Sequence, residues 1–149
     1  MRDAVNNALK DAMKSRDAAR TGTLRLMTAA IKERDIDARG RGAGPASDEE
    51  LLAVLSKMIR QREESAKMYA DGGRPELAAK EREEIEVIRA FLPAQMDEEE
   101  MRRAAQSAIV EAGAASARDM GRVMAILKQR HSGQMDFGKA SALVKALLA

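Results

Sequence analysis

Three observations predict an all-α chain. Apolar residues recur at three- and four-residue spacing along most of the sequence, the period of a helix face. The composition is 45% hydrophobic and only 2% aromatic, so the core is drawn from Leu, Ile, Val, Met and Ala. Several of these, with Glu, Lys, Arg and Gln, are strong helix formers. Val- and Thr-rich alternation is missing, so no sheet is expected. The predicted architecture is an N-terminal four-helix lobe with a central antiparallel hairpin, residues 1–93. A small C-terminal three-helix tail domain follows, residues 94–149.

Helix one is read over Met1–Arg16, with Val5, Leu9, Ala12 and Met13 on one face. A charged, loose segment to Arg20 follows. Thr21 or Thr23 is the expected cap of helix two, which shows Leu24, Met27 and Ile31 and fades near Asp37. Gly40–Ala46, GRGAGPA, is the longest break and reads as mobile. Ser47-Asp-Glu-Glu50 is a capping box opening helix three.

The organising stretch is Leu51–Leu92. Apolar positions Leu51, Leu55, Met58 and then Leu77, Ile85, Ile88 flank the breaker Asp71–Pro75, whose proline suits a helix start. Antiparallel pairing with index sums near 146 sets Leu55 opposite Phe91, Met58 opposite Ile88 and Tyr69 opposite Leu77. The same register places Arg62 opposite Glu84 and Ser65 opposite Glu81, four polar residues within an apolar seam. An unpaired charge there is costly, so an Arg62–Glu84 ion pair is expected, with Ser65 and Glu81 completing its hydrogen bonds. Loss of one partner would cost roughly 3–5 kcal/mol if the pair is buried. An interhelical lock and a ligand-facing role are the two readings of these four residues.

Pro93–Asp97 is the predicted boundary, since the residue before a proline leaves the helix. Asp97–Glu100 then supplies a cap and first-turn acids. Helix five buries Met101, Ala105 and Ala108 and stops at Gly113. Helix six carries Met120, Val123, Met124 and Leu127 and ends before Ser132-Gly133. Helix seven is capped by Asp136 and shows Ala140, Leu143, Val144 and Leu147. No internal repeat or low-complexity tract is apparent.

The chain has no cysteine, which excludes disulfides, thiolate metal sites and cysteine catalysis. No apolar run approaches the length of a membrane span, so no membrane partner is expected. The N-terminal residues resemble neither a secretory signal nor a transit peptide, and a cytoplasmic chain is expected. The net charge of +2 says less than its distribution. Residues 1–46 sum to +4, residues 47–93 hold eight basic and eleven acidic side chains, and residues 101–149 hold eight basic and three acidic. A cationic tail beside an acidic hairpin suits a polyanionic partner.

Candidate chemistry is sparse. His131 is the only histidine, which cannot build a zinc site, so no metal and no cofactor are expected. Ser65 lacks a triad context. Asp71-Gly72-Gly73 lacks the Gly-Lys-Ser/Thr ending of a phosphate loop. The run Asp97–Glu100 reads as a helix start. No catalytic residue is assigned. Met120-Gly-Arg-Val-Met124 is more informative, because Gly121 inside a helix costs about 1 kcal/mol relative to Ala. It permits close approach by another helix or by a phosphate. Asp136-Phe-Gly-Lys139 offers the same two readings. Phe137 and Tyr69 are too few for a base-stacking platform, so any nucleic-acid contact would be to backbone.

Lys57-Met-Ile-Arg-Gln-Arg-Glu-Glu-Ser65, Tyr69, Arg74-Pro-Glu-Leu77-Ala, Glu81, Phe91-Leu-Pro-Ala-Gln95, Met120-Gly-Arg-Val-Met124 and the closing Gly-Lys-Ala and Leu-Val-Lys-Ala-Leu together resemble the GatB/YqeY family. The resemblance covers nearly the whole chain. Arg122 stands where the family often has lysine, and Asp136-Phe-Gly where many members have Asp-Gly. The resemblance implies a relative of the C-terminal helical and tail regions of GatB, a subunit of the glutamine-dependent tRNA amidotransferase, whose tail helps to bind the tRNA body. It also carries a family association with carbon–nitrogen ligase activity using glutamine as amido donor. The expectation is a non-catalytic tRNA-binding accessory module, with Arg118, Gly121, Arg122, Lys128, Lys139 and Lys145 on the RNA. The rival is a protein-interaction module that docks on an aminoacyl-tRNA synthetase or amidotransferase through a Met/Leu patch on the tail.

Overall fold

The computed structural model describes residues 1–149 and contains helices and no strands. Two compact units follow one another in sequence, Met1–Leu92 and Pro93–Ala149.

The first unit holds α1 (Arg2–Lys14), α2 (Ala18–Gly40), α3 (Asp48–Asp71) and α4 (Pro75–Arg89). Its core is aliphatic: Val5, Leu24, Met27, Leu51, Leu55 and Ile88 are fully buried. α2 begins three residues earlier than Thr21. Its cap is Asp17, whose carboxylate accepts from the Arg20 N–H at 3.1 Å. Thr21 and Thr23 are instead buried within the helix, and Thr23 donates back to the Ala19 carbonyl. A short polar side chain before a helix caps, but a threonine one turn later can satisfy its hydroxyl on the preceding turn. α2 also runs past Asp37 to Gly40, because Ala38 is buried and Asp37 pairs with Arg34 and Arg41 one turn to either side.

The glycine-rich break is pinned rather than loose. Arg41, Gly42 and Ala43 return N–H groups to the last carbonyls of α2. Ala46 is buried; its N–H donates to Asp35 at 2.9 Å and its carbonyl accepts from Arg2. Ser47 caps α3 by accepting from the Glu50 N–H at 3.2 Å. α3 and α4 form the antiparallel hairpin, joined through Gly73 at φ 74°, a conformation glycine adopts without steric cost.

The second unit holds α5 (Glu98–Ala112), a 3-10 turn (Ala117–Asp119), α6 (Met120–Arg130) and α7 (Phe137–Leu148). Met101, Ala105, Ala108, Val123, Leu127, Met135, Ala140 and Val144 form its core. Three starts are capped by side chains: Asp97 for α5, Ser116 with Asp119 in a reciprocal box for the 3-10 turn that leads into α6, and Asp136 for α7. The segment after Pro93 is tied in, as Met96 N–H donates to the Gln134 carbonyl at 2.8 Å and Gln95 Nε2 to the Gly133 carbonyl at 2.5 Å. No helix is long and apolar enough to cross a membrane.

Candidate nucleic-acid interface

The four polar residues of the hairpin seam divide. Arg62 Nε donates to Glu84 at 2.9 Å, and its Nη1 donates to the Met58 carbonyl at 3.2 Å. The side chains of the pair remain 14% and 21% exposed, so water reaches one edge and the cost of breaking it falls below that of a dry pair. Ser65 and Glu81 are half-buried and do not join; neither makes a side-chain hydrogen bond. The arginine spends Nε on Glu84 and Nη1 on its own helix backbone, and its remaining N–H groups make no bond to Ser65 or Glu81. The ion pair thus joins α3 to α4.

In the second unit, a methyl group placed on Gly121 meets no atom within 4 Å. Close helix packing is therefore not the reason for this glycine. It lies exposed in the first turn of α6, which continues from the 3-10 turn, the preceding Met120 N–H donating to the Ala117 carbonyl. Gly138 differs: its N–H donates to Asp136 Oδ1 at 2.8 Å, and a Cβ there would sit 3.0 Å from that oxygen. That glycine serves the cap. The two glycine-bearing starts are not brought together, because the turn His131–Asp136 starts α7 from the far end of α6 from Gly121.

The predicted cations also divide. Arg122 donates to Asp119 at 2.5 Å. The Asp119 carboxyl is held below its ordinary range by the Ala115 N–H first and the Arg122 guanidinium second. Arg118, Lys128, Lys139 and Lys145 are exposed and have no carboxylate partner. A repeat missed in the sequence places Lys128, Lys139 and Lys145, with Arg122 as its fourth cation. Gly121-Arg-Val-Met-Ala-Ile-Leu-Lys128 and Gly138-Lys-Ala-Ser-Ala-Leu-Val-Lys145 share glycine, cation, alanine and lysine at the same four positions. Each segment therefore sets its two cations at equal offsets from its buried pair, Val123/Leu127 or Ala140/Val144.

The charge excess is smaller than residues 101–149 suggested. The folded unit starts at Pro93 and includes Asp97–Glu100, so it holds eight basic and seven acidic side chains. The acids are segregated, however. Glu111 pairs with Arg130, Asp119 with Arg122, and Asp136 caps α7, which leaves the unpaired acids at the start of α5.

No Met or Leu of the tail is strongly exposed; Val110 is its one strongly exposed large apolar residue. Its apolar feature is a cleft of about 390 Å³ between α5 and the end of α6. Met96, Ala104, Ile126 and Leu127 contribute apolar lining, and Arg103 and Arg130 border it. His131 closes one end, with Nδ1 3.1 Å from Gln134 Oε1. Sequence reasoning placed His131 at a helix end but could not see Arg103 and Arg130 converge, since they lie 27 positions apart on different helices.

The family model described as Yqey-like protein matches residues 2–148. Among curated relatives, "Altered inheritance of mitochondria protein 41, mitochondrial" of Eremothecium gossypii is 35% identical over 86 residues, 58% of this chain and 45% of that protein. The proteins of that name in Lachancea thermotolerans and Saccharomyces cerevisiae are 34% and 33% identical over 93 and 84 residues, covering 48% and 44% of their lengths. The chain thus spans about half the length of the curated relatives it matches. The cytoplasmic expectation is corrected by these relatives, which are named as mitochondrial. The N-terminal pattern on which that expectation leaned does not decide the compartment. That name states no reaction. The match to the family model over almost every residue places this all-helical chain in the YqeY family.

Proposed function

We propose that this chain is a non-catalytic RNA-binding accessory module whose second unit contacts tRNA backbone, related to the tail of the glutamine-dependent tRNA amidotransferase. The observation that carries the reading is charge segregation: every acid between 101 and 149 is engaged, while Arg118, Lys128, Lys139 and Lys145 are exposed and unpaired. Unpaired surface cations gain by releasing counterions from a polyanion. Gly121 adds an open backbone approach at the start of α6. Arg122 takes part by exchanging the Asp119 carboxylate for a phosphate.

Fluorescence anisotropy with bulk tRNA tests this. Four phosphate contacts give a log K against log salt slope near −3 to −4, and binding weakens by about 100-fold between 50 and 200 mM salt. Arg122→Glu with Lys139→Glu should abolish most of it. No binding at low salt, or binding indifferent to that pair, rejects the proposal. Gly121→Ala should raise the melting temperature yet weaken RNA binding; unchanged binding removes the glycine from the interface.

The α5–α6 cleft favours a second reading, docking on a synthetase or amidotransferase. Its lining is largely apolar and its rim carries Glu100 and Arg103 beside the Glu111-paired Arg130, so a helix with a projecting aliphatic side chain fits it. Association with a purified amidotransferase that survives nuclease and high salt, and is lost in Ala104→Glu, would favour docking over RNA. The family's carbon–nitrogen ligase association predicts ammonia release from glutamine by the pure chain; the accessory reading predicts none.

A further inference from the structure

The first unit is electrically two-sided. Residues 1–46, which hold α1 and α2, carry ten basic and six acidic side chains; residues 47–92, which hold α3 and α4, carry eight basic and eleven acidic. On α2 the cations are ordered. Arg25, Lys32 and Arg39 follow one another at intervals of seven. Seven residues make two turns with a drift of about 20°, so the three lie close to one line along the helix. Each interval is about 10.5 Å, and the row extends about 21 Å. All three are exposed, and none forms an ion pair.

Beside the row runs a groove of about 260 Å³ between α1 and α2, lined by Arg2, Asn6, Thr28, Lys32, Ile36 and Arg39 among others. One carboxylate faces it, Asp35. That group is already engaged by Arg2 and by the Ala46 N–H, so its charge is balanced where it stands. Asp3 and Asp48 lie near the Arg2 end and act on that guanidinium. Asn6 is exposed and supplies an amide donor alongside the cations.

We propose that the α2 row with its adjoining groove is a second polyanion surface on this chain, holding an RNA sugar–phosphate backbone along Arg25, Lys32 and Arg39. This takes RNA as ligand from the reading above but assigns it to a different unit and different residues. A straight, evenly spaced line of cations matches a linear polyanion, whose phosphates repeat regularly and are bound without base readout. An anionic membrane surface fits less well. Interfacial helices insert an apolar face rich in large residues, whereas Ile36 is the only strongly exposed large apolar residue bordering this groove.

The test uses the full chain, bulk tRNA and a salt titration, with two variants. One replaces the row, Arg25→Ala with Lys32→Ala and Arg39→Ala. The other replaces the tail cations, Arg118→Ala with Lys128→Ala, Lys139→Ala and Lys145→Ala. Loss of the row should leave the melting temperature near the parent's, since these side chains make no ion pairs. It should flatten the log–log salt slope by about 2–3 and weaken low-salt binding at least tenfold. Changing both arginines to lysine should retain most binding, because phosphate contact of this kind needs charge rather than a fork. RNA should also slow hydrogen exchange in α1 and α2. Slope and affinity equal to the parent's overturn the proposal. If the row variant is silent while the tail variant loses binding, the row fails and the tail reading stands. If the tail variant is silent while the row variant loses binding, the tail reading fails and the row stands. A parent chain that binds phosphatidylserine vesicles through the row, but not tRNA, overturns the RNA assignment.

Discussion

Arg16 ends α1 with φ 58°, the only non-glycine residue in the left-handed region. Its N–H returns to Met13 and the next N–H to Ala12, the usual helix-ending pattern in which glycine is preferred. Left-handed backbone costs an ordinary residue about 1–2 kcal/mol, offset in part by glycine's greater freedom when unfolded. Arg16→Gly should therefore stabilise the chain by about 0.5–1 kcal/mol, read as a higher urea midpoint at unchanged slope. Asp35 supplies a pH-dependent counterpart. The hydrogen bond from Arg2, helped by the Ala46 N–H, holds its carboxyl at about 2. A depressed acid stabilises the fold above its unfolded value and loses that contribution as pH falls. Parent and Asp35→Asn should differ in melting temperature at pH 6 and converge as pH drops from about 4 towards 2. Parallel curves over that range would show that Asp35 does not hold the 41–46 segment. No sequence pattern distinguished Asp35 from Asp37, because its partners are 33 and 11 positions away.

In the hairpin, periodicity and the Asp71–Pro75 breaker were enough to set the register, and the Arg62–Glu84 contact agrees with it. The network around that pair was not legible, because Arg62's choice of the Met58 carbonyl is a matter of side-chain reach. Partial exposure lowers the expected cost of Arg62→Ala to about 1–3 kcal/mol, below the range for a dry pair. A double-mutant cycle with Glu84→Gln should give a coupling of about 1 kcal/mol, whereas Ser65→Ala should lie within about 0.5 kcal/mol of the parent. Zero coupling would mean the lock contributes nothing. The start of α2 was misread for a related reason. Asp17, Thr21 and Thr23 are all plausible caps by composition, and burial of the two threonines against the core decided among them.

For the molecule, a net charge of +2 is too small to drive binding by itself. Placement of charge is what matters: α1 and α2 are positive, α3 and α4 are negative, and the tail keeps its unpaired acids at one helix start. A charge-neutral exchange separates these ideas. Arg25→Ala with Glu83→Ala leaves the net charge unchanged, since Glu83 is an exposed acid on α4. It should weaken tRNA binding as much as Arg25→Ala alone and flatten the salt slope by about 1. Restoration of parental binding by the second change would show that total charge governs, not a local row.

Helix content, the aliphatic core and the cap residues Ser47, Asp97 and Asp136 were readable from the chain because they depend on neighbours within a turn or two. Hydrophobic spacing and short polar side chains act over that range. Which cations remain unpaired, how Ala46 is held and that Arg103 and Arg130 line one cleft depend on residues tens of positions apart. Those outcomes follow from packing, which brings partners within hydrogen-bond distance only after the helices have docked, and local pattern carries no record of them.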